Sequence, residues 1–447
     1  MAARLALAGL ACMACLPACA MDLKDTWELL QMQGPTYRAA LHERDAGLEN
    51  RAIGRAGLLP QINAVASKSR LEGTREEPNA LGRTVESDLD YDSENAAVRL
   101  RQPLFNLQKL AEYRQGKQRA EYSEAIFDAK TQNAAVRLAG RYFDVLLARE
   151  TIDLAAAKLK AFEQQVAAAQ RRFDLGDGTI TDVDQATARR DLAQAELIEA
   201  QDGLIVALRL LQEMLGGVPE RLASLRREFP TPALQPASLQ DWLGQAQANN
   251  PTLRAQHHKQ REAEEEVRRV RSGHWPTLDL VLGYTDSESD SISTLDQQNR
   301  YATAGVELNM PLFAGGGVSA RVRQAVASRE QSIEELNATR EEVLSATTRQ
   351  FRGVQSGQAR IRALEKAVAS SERAQDSAKK GFLAGSSTNL DILNAEEQVF
   401  IARRDLLEAK LRYLQARLQL AEAVGLLGDD DIHQANAYLG PELALTY

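Results

Sequence analysis

Two carboxylates, Asp182 and Asp391, hold matching places in the chain. Each follows a glycine-containing turn and opens a helical pattern. An acid in the first turn of a helix favours the helix dipole or caps its free amides, and residue chemistry alone supports that role for both. The histidines (His42, His257, His258, His274, His433) offer no metal geometry: His257 and His258 are adjacent, so on a helix they point apart. Glu264, Glu265 and Glu266 precede Arg268 and Arg269, which reads as a solvated charge ladder rather than a pair of catalytic acids. Gly315, Gly316 and Gly317 have the look of a phosphate loop, but no lysine and hydroxyl follow. A tight joint between a strand and a helix fits them better. No nucleophile stands beside a base, so neither an enzyme nor a bound metal or cofactor is expected.

Composition narrows the classes further. The 447 residues are rich in Ala, Leu, Gln, Arg and Glu and hold only 5% aromatics, a profile of long helices. The net charge of -8 and the lack of a basic stripe argue against a nucleic-acid partner. Beyond residue 20 no apolar run reaches the roughly 18 residues that a spanning helix needs. The first 20 residues differ: Arg4, an apolar stretch from Leu5 to Leu16, then Ala18-Cys19-Ala20. They read as a secretory signal cleaved after Ala20. All three cysteines lie inside it, so cleavage leaves no thiol for disulfides or metal ligation. Leu16-Pro17-Ala18-Cys19 also resembles a lipobox, in which Cys19 becomes a lipidated first residue.

The rest of the chain is written twice. Gly34-Pro35-Thr36-Tyr37-Arg38-Ala39 returns as Asn250-Pro251-Thr252-Leu253-Arg254-Ala255, and Arg55 to Pro60 returns as Arg271 to Pro276, both 216 residues later. Val98 to Phe105 returns as Val306 to Phe313 at 208, and Phe173 to Gly176 with Asp182 returns as Phe382 to Gly385 with Asp391 at 209. The expected organisation is a signal (1–20), a first structural repeat (21–230) and a second (231–447). Each repeat opens with one helix, Asp22 to Gly57 or Ser238 to Gly273, which Pro60 or Pro276 ends. Two strand-like segments follow, then a proline (Pro103, Pro311), a very long helix (Leu107 to Leu175, Val318 to Leu383), a turn with glycine and a last helix. In the long helix Leu138, Val145, Ile152, Leu159, Val166 and Phe173 recur every seven residues, with Ala148, Ala155, Phe162 and Ala169 as a companion stripe. Val354, Ile361, Val368 and Phe382 keep that phase in the second repeat. Such spacing specifies coiled-coil packing. At about 1.5 Å per residue the long helices run roughly 100 Å, twice the length of the others. A long helix paired with two shorter coaxial ones, once per repeat, is the expected arrangement.

The strand-like segments alternate. Leu278, Leu280, Leu282 and Tyr284 face one way, as do Ala302, Ala304, Val306, Leu308 and Met310, and as do Ala96, Val98 and Leu100. This fits a sheet on a soluble core or a barrel wall in lipid. Polar loops are expected between the strands of each pair, from Glu72 to Asn95 and from Asp286 to Arg300. The remaining chain is committed to helices, so nothing is left to cover a soluble sheet. Four strands close no useful lumen, since small barrels need about eight, and several chains must therefore pool their strands.

With these features the chain resembles the TolC family of outer-membrane efflux and secretion proteins. The carrying residues are Leu58-Leu59-Pro60-Gln61, Pro103-Leu104-Phe105, Pro311-Leu312-Phe313 with the three glycines, Arg172-Phe173 to Gly176 with Thr181-Asp182-Val183, and Gly385 to Asp391-Ile392-Leu393. The resemblance implies a mainly α fold with a small β part: a periplasmic α-barrel of antiparallel coiled-coil helices beneath a 12-stranded barrel shared by a homotrimer. Pro219 to Pro236 and Asp429 to Tyr447 would form an equatorial belt. It further implies an outer-membrane site, a periplasmic adaptor, and either an inner-membrane ABC transporter, for one-step protein secretion, or a proton-driven pump, for drug efflux. A soluble periplasmic coiled-coil scaffold is the rival from another class. The implied gate lies at the two helical tips, with Asp391 at the narrowest ring and Asp182 as its first-half counterpart. Asn394 stands where a second acid is usual, and Phe382 and Ser387 stand where tyrosine and arginine would make closing bonds.

Overall fold

The computed structural model describes residues 21–217, 221–226, 228–291 and 294–444. The expected signal and the lipobox reading of Cys19 lie outside the described residues. The helices are α1 (Leu23–Gln33), α2 (Pro35–Leu48), α3 (Asn50–Ala56), α4 (Leu107–Asp174), α5 (Ile180–Leu215), α6 (Leu239–Asn249), α7 (Pro251–Arg271), α8 (Gly317–Leu383), α9 (Asn389–Val424) and α10 (Asp429–Asn436). The strands are β1 (Gln61–Pro78), β2 (Thr84–Phe105), β3 (Arg221–Leu225), β4 (Thr277–Ser291), β5 (Thr294–Asn309) and β6 (Leu439–Ala444). None of the described helices is long and apolar enough to cross a membrane.

The two opening helices differ from the sequence expectation. The sequence predicts one helix in each repeat, and each breaks before a proline, at Gly34-Pro35 and Asn250-Pro251. Proline disfavours helical geometry in the residue before it and suits the first position of the next helix. Gly34 and Asn250 accordingly take extended backbone, with ψ of 117° and 122°. Asn250 then caps α7, its Oδ1 accepting from Thr252 N at 2.9 Å and Leu253 N at 3.1 Å.

Contacts divide the chain into two compact units, each drawing on both sequence halves. One spans Glu43–Ile126 and Arg254–Thr339. It holds a four-stranded antiparallel sheet in the order β1-β2-β4-β5. Ile62, Leu100, Leu282 and Ala304 share one row of that sheet, and Ala64, Val98, Tyr284 and Ala302 the next. One apolar face thus crosses all four strands in register. The other face carries the row Asn63, Arg99, Gly283 and Thr303. On it Arg101 of β2 grips the buried Asp279 of β4 at 2.6 Å. The expected polar loops are mostly strand: β1 and β2 stay paired from Gln61↔Arg101 to Pro78↔Thr84. Cross-strand pairs sustain the polar end, with Lys68 to Glu94 at 2.6 Å and Arg300 to Asp286 at 2.9 Å. The turn itself is short. Asn79 Oδ1 accepts from Leu81 N and Arg83 N, and Gly82 takes a φ of 72°. The three glycines do join β5 to α8: Gly315 and Gly316 have φ of 58° and 76°, and α8 opens at Gly317.

The second unit spans the described residues up to His42, Phe127–Leu253 and the described residues from Arg340. Here α4 and α5 form one helical hairpin, and the latter part of α8 and α9 form another. Leu138, Val145, Ala155, Phe162 and Ala169 of α4 are buried, as are Val354 and Ile361 of α8. Phe162, Ala193 of α5 and Leu393 of α9 pack as one cluster. At the other end β3 pairs with β6, and Met21 bridges to Leu222. The fully buried Tyr142 staples this small sheet: its hydroxyl donates to Ala223 O at 2.9 Å and accepts from Ala223 N at 3.0 Å.

Candidate functional site

The two hairpin tips are the same construction made twice, with matching residues 209 apart. At the first, Gly176 takes a φ of 82°, its N–H bonds Phe173 O at 3.0 Å, and Asp177 N–H bonds Arg172 O at 2.9 Å. At the second, Gly385 takes 77°, with Gly385 N to Phe382 O at 3.0 Å and Ser386 N to Gly381 O at 2.8 Å. Glycine is the residue that closes a helix in this way without strain. Threonines then open the returning helices. Thr179 caps α5 with Asp182 as the reciprocal partner, and Thr388 caps α9 with Asp391. Leu175 in the first turn and Leu383, the last residue of α8, are exposed.

The site residues read from sequence therefore fall into one region, with separate partners. Asp391 is fully exposed and accepts from Thr388 N and Thr388 Oγ1, both at 2.7 Å. Those two donors, the amide foremost, hold its carboxyl below the ordinary carboxylate range. Asp182 repeats the arrangement, bonded to Thr179 N at 3.2 Å and Oγ1 at 2.7 Å. Ser387 lies in the turn, its N–H on Gly381 O at 3.2 Å. Phe382 lies under the Arg172 guanidinium, 4.2 Å from ring centre to carbon, so α8 touches α4 here. Asn394, one turn past Asp391, accepts from Arg189 of α5 at 3.0 Å.

Sequence reading missed the partners, because they join residues far apart in the chain. Arg189, Lys158 and Glu397 stand in no motif, and the motif that holds Arg172 gives no sign of its contact with Phe382. One signal was visible. The buried stripe of α9 holds Ile392, Leu393 and Val399 but also Asn389 and Glu396, seven apart. Both Asn389 amide atoms and one Glu396 oxygen are buried without a partner. Among the described residues no group of three or more His, Cys, Asp or Glu side chains could hold a metal.

Comparison with known proteins places this architecture. The family model described as "Outer membrane efflux protein" matches residues 28–217 and 242–426. The protease secretion protein PrtF of Dickeya chrysanthemi is 36% identical over 94% of this chain and 91% of its own length. The alkaline protease secretion protein AprF of Pseudomonas aeruginosa is 35% identical over 92% of this chain and 86% of its own. Among solved structures, the outer membrane protein VceC of Vibrio cholerae superposes with a TM-score of 0.75 at 21% identity, covering 90% of this chain and 96% of that one, a likeness of fold. The chain belongs to the outer membrane efflux protein family, the transport-channel family that includes TolC.

Proposed function

We propose that this chain is the outer-membrane conduit of a three-part export system, and that three copies pool their strands into one 12-stranded barrel. The observation that carries this reading is the sheet: its apolar face runs in register across every strand, and β1 and β5 end it on either side. Val306 and Leu308 are more than 60% exposed on that face. A sheet left this way in water would offer open edges and a large apolar patch, which soluble proteins avoid. Closing a barrel takes about eight strands or more, so other copies must supply the rest. Lipid then covers the apolar face, and the helical hairpins carry the conduit into the periplasm. A periplasmic adaptor and an inner-membrane ABC transporter complete the system.

The cargo we assign is protein, secreted in one step. Two relatives above one-third identity over most of this chain carry names of protease secretion. At the gate, Asp391 of each copy lines the narrowest ring with Asn394 a turn away, and Asp182, Phe382 and Ser387 flank it. Three like charges around an axis focus a field that draws in cations.

Complementation tests the assignment. In a host lacking its own channel, the chain expressed with an adaptor and an ABC transporter should return protease to the medium. Restored resistance to small toxic compounds without secreted protease would make drugs the cargo and a proton-driven pump the partner. A monomeric protein recovered from the periplasm without detergent would sink the channel and leave a helical scaffold.

A further inference from the structure

The four-stranded sheet sorts its charges by face. At its polar end, Asp88, Asp90, Asp92 and Glu94 of β2 and Asp286 and Glu288 of β4 keep the alternation of Val98 and Tyr284. These acids therefore lie on the side of the apolar rows. The opposite side, which the channel reading turns to the lumen, holds the rows Val65, Ala97, Thr285, Tyr301 and Ser67, Asn95, Ser287, Asn299. Neither row has an ionisable group that is charged at neutral pH. The next row is Asn63, Arg99, Gly283 and Thr303. Arg99 is exposed, and among the described residues no carboxylate forms an ion pair with it. Gly283 faces it across the ladder and adds no side chain to cover it. Arg101, two residues on, is already engaged, with Asp279 at 2.6 Å and Glu307 at 3.9 Å. Glu307 stands four residues along β5 from Thr303 of the Arg99 row, roughly 13 Å at about 3.4 Å per residue. That exceeds the Debye length of about 10 Å at 0.1 M salt, so its charge is largely screened from Arg99.

We propose that Arg99, repeated in three copies, forms an anion-binding ring inside the barrel, and that the ring takes small multivalent anions. The inference rests on the channel reading above and on the pooling of strands by three chains. Strands about 4.8 Å apart and tilted about 40° give a 12-stranded barrel a radius of roughly 12 Å. The arginine side chain spans part of that radius, so each guanidinium stands within about one Debye length of the axis. Three like charges in a passage with low-dielectric walls then act on one ion together. A guanidinium keeps its charge at any ordinary pH and offers a planar fork of donors that matches phosphate and carboxylate oxygens. The segregation of the acids to the outer side leaves this row as the charge that an anion meets in the upper lumen.

Planar-bilayer recordings of the full-length purified protein test it, with pyrophosphate added on the side of the barrel mouth. Pyrophosphate should block the parent. Arg99→Gln should raise the half-blocking concentration at least about tenfold at 0.1 M salt, since three charges are lost at once. It should also move the reversal potential in a KCl gradient toward cation preference. Arg99→Lys should keep the parent reversal potential and most of the block. In about 1 M salt, where the Debye length is only about 3 Å, the difference between parent and Arg99→Gln should vanish. Lys68→Gln removes a cation from the outer side, where Lys68 pairs with Glu94, and should match the parent. A conducting parent that pyrophosphate does not block, or blocks as well in Arg99→Gln, would overturn the ring and spare the channel. Equal loss of block in Lys68→Gln would overturn it too, by placing the outer side in the lumen. A parent that forms no pore removes the channel reading itself.

Discussion

At the scale of single residues, Asp391 performs two separable tasks. Its carboxylate accepts from the cap of α9, and its charge stands exposed at the tip. Asp391→Asn keeps an acceptor for Thr388 and removes the charge; Asp391→Ala removes both. If the charge lines the constriction, both substitutions should weaken block by multivalent cations several-fold in bilayer recordings, and only the alanine should also loosen the start of α9. Undiminished block in Asp391→Asn would take this residue off the pore axis. The direction of pH dependence follows from the hydrogen bonds. They hold the carboxyl below its ordinary range, so the charge and its share of cap stability are present at neutral pH and are lost only as pH falls through that depressed value. Cation block should therefore persist through the ordinary carboxylate range near pH 4 and fade only below it. The position of Asp391 was legible in the sequence, because a glycine turn followed by an acid recurs 209 residues apart. The partners of Asn394 and Phe382 were not. Which side of α5 meets α9 depends on the phase between two hairpins, and heptad spacing within one helix leaves that phase open.

At the scale of elements, the long helices, the returning helices and the four strands of the large sheet are legible in the sequence, whereas β3, β6 and α10 as separate elements, and two kinds of boundary, are not. Pro60 and Pro276 lie just past the ends of helices, and Pro35 and Pro251 divide the opening helices by the same physics. The polar segments between the strands of each pair are strand rather than loop, for Lys68, Arg70, Asp90 and Glu94 are paired across β1 and β2. A strand needs backbone partners more than apolar side chains, and complementary charges at facing positions are compatible with both. The companion stripe was the better guide to the core near the tip, for Ala155, Phe162 and Ala169 are buried while Phe173 is exposed. Element ends also differ in their tolerance of change. Gly425 closes α9 with a φ of 79°, and a Cβ there would lie 2.5 Å from Asn249 O. Gly203 lies inside α5 with nothing within 4 Å of its added Cβ. Gly425→Ala should cost at least about 2 kcal/mol and lower the Tm in detergent by several degrees. Gly203→Ala should raise it, by up to about 1 kcal/mol of helix propensity. Equal effects would mean that the close approach of α9 to Asn249 is not maintained. Tyr142→Phe removes the hydroxyl that both donates to and accepts from Ala223, a buried loss of about 1–3 kcal/mol. Proteolysis should then open the chain near β3 before it opens α4.

At the scale of the whole molecule, assembly turns on which medium each face of the four-stranded sheet meets. Val306 pairs with Leu280 in the middle of the apolar run of β5, and it is exposed. Thr303 lies three residues away on the other face, beside Gly283. A soluble sheet would accept arginine at either exposed position with little penalty. A wall in lipid would not, because a cation on the lipid side near mid-bilayer costs about 2–4 kcal/mol, and each copy in the assembly bears that cost. The lumen side is wet and tolerates charge. Val306→Arg should therefore abolish recovery of the oligomer from the outer-membrane fraction. Thr303→Arg should assemble at the parent level and alter only ion selectivity in bilayers. The contrast within one strand excludes a general loss of β-structure as the explanation, since both variants place the same side chain in the same ladder. Equal assembly of the two would mean that the apolar rows through Ile62, Leu100, Leu282 and Ala304 meet protein rather than lipid, and the pooling of strands between copies would lose its physical reason.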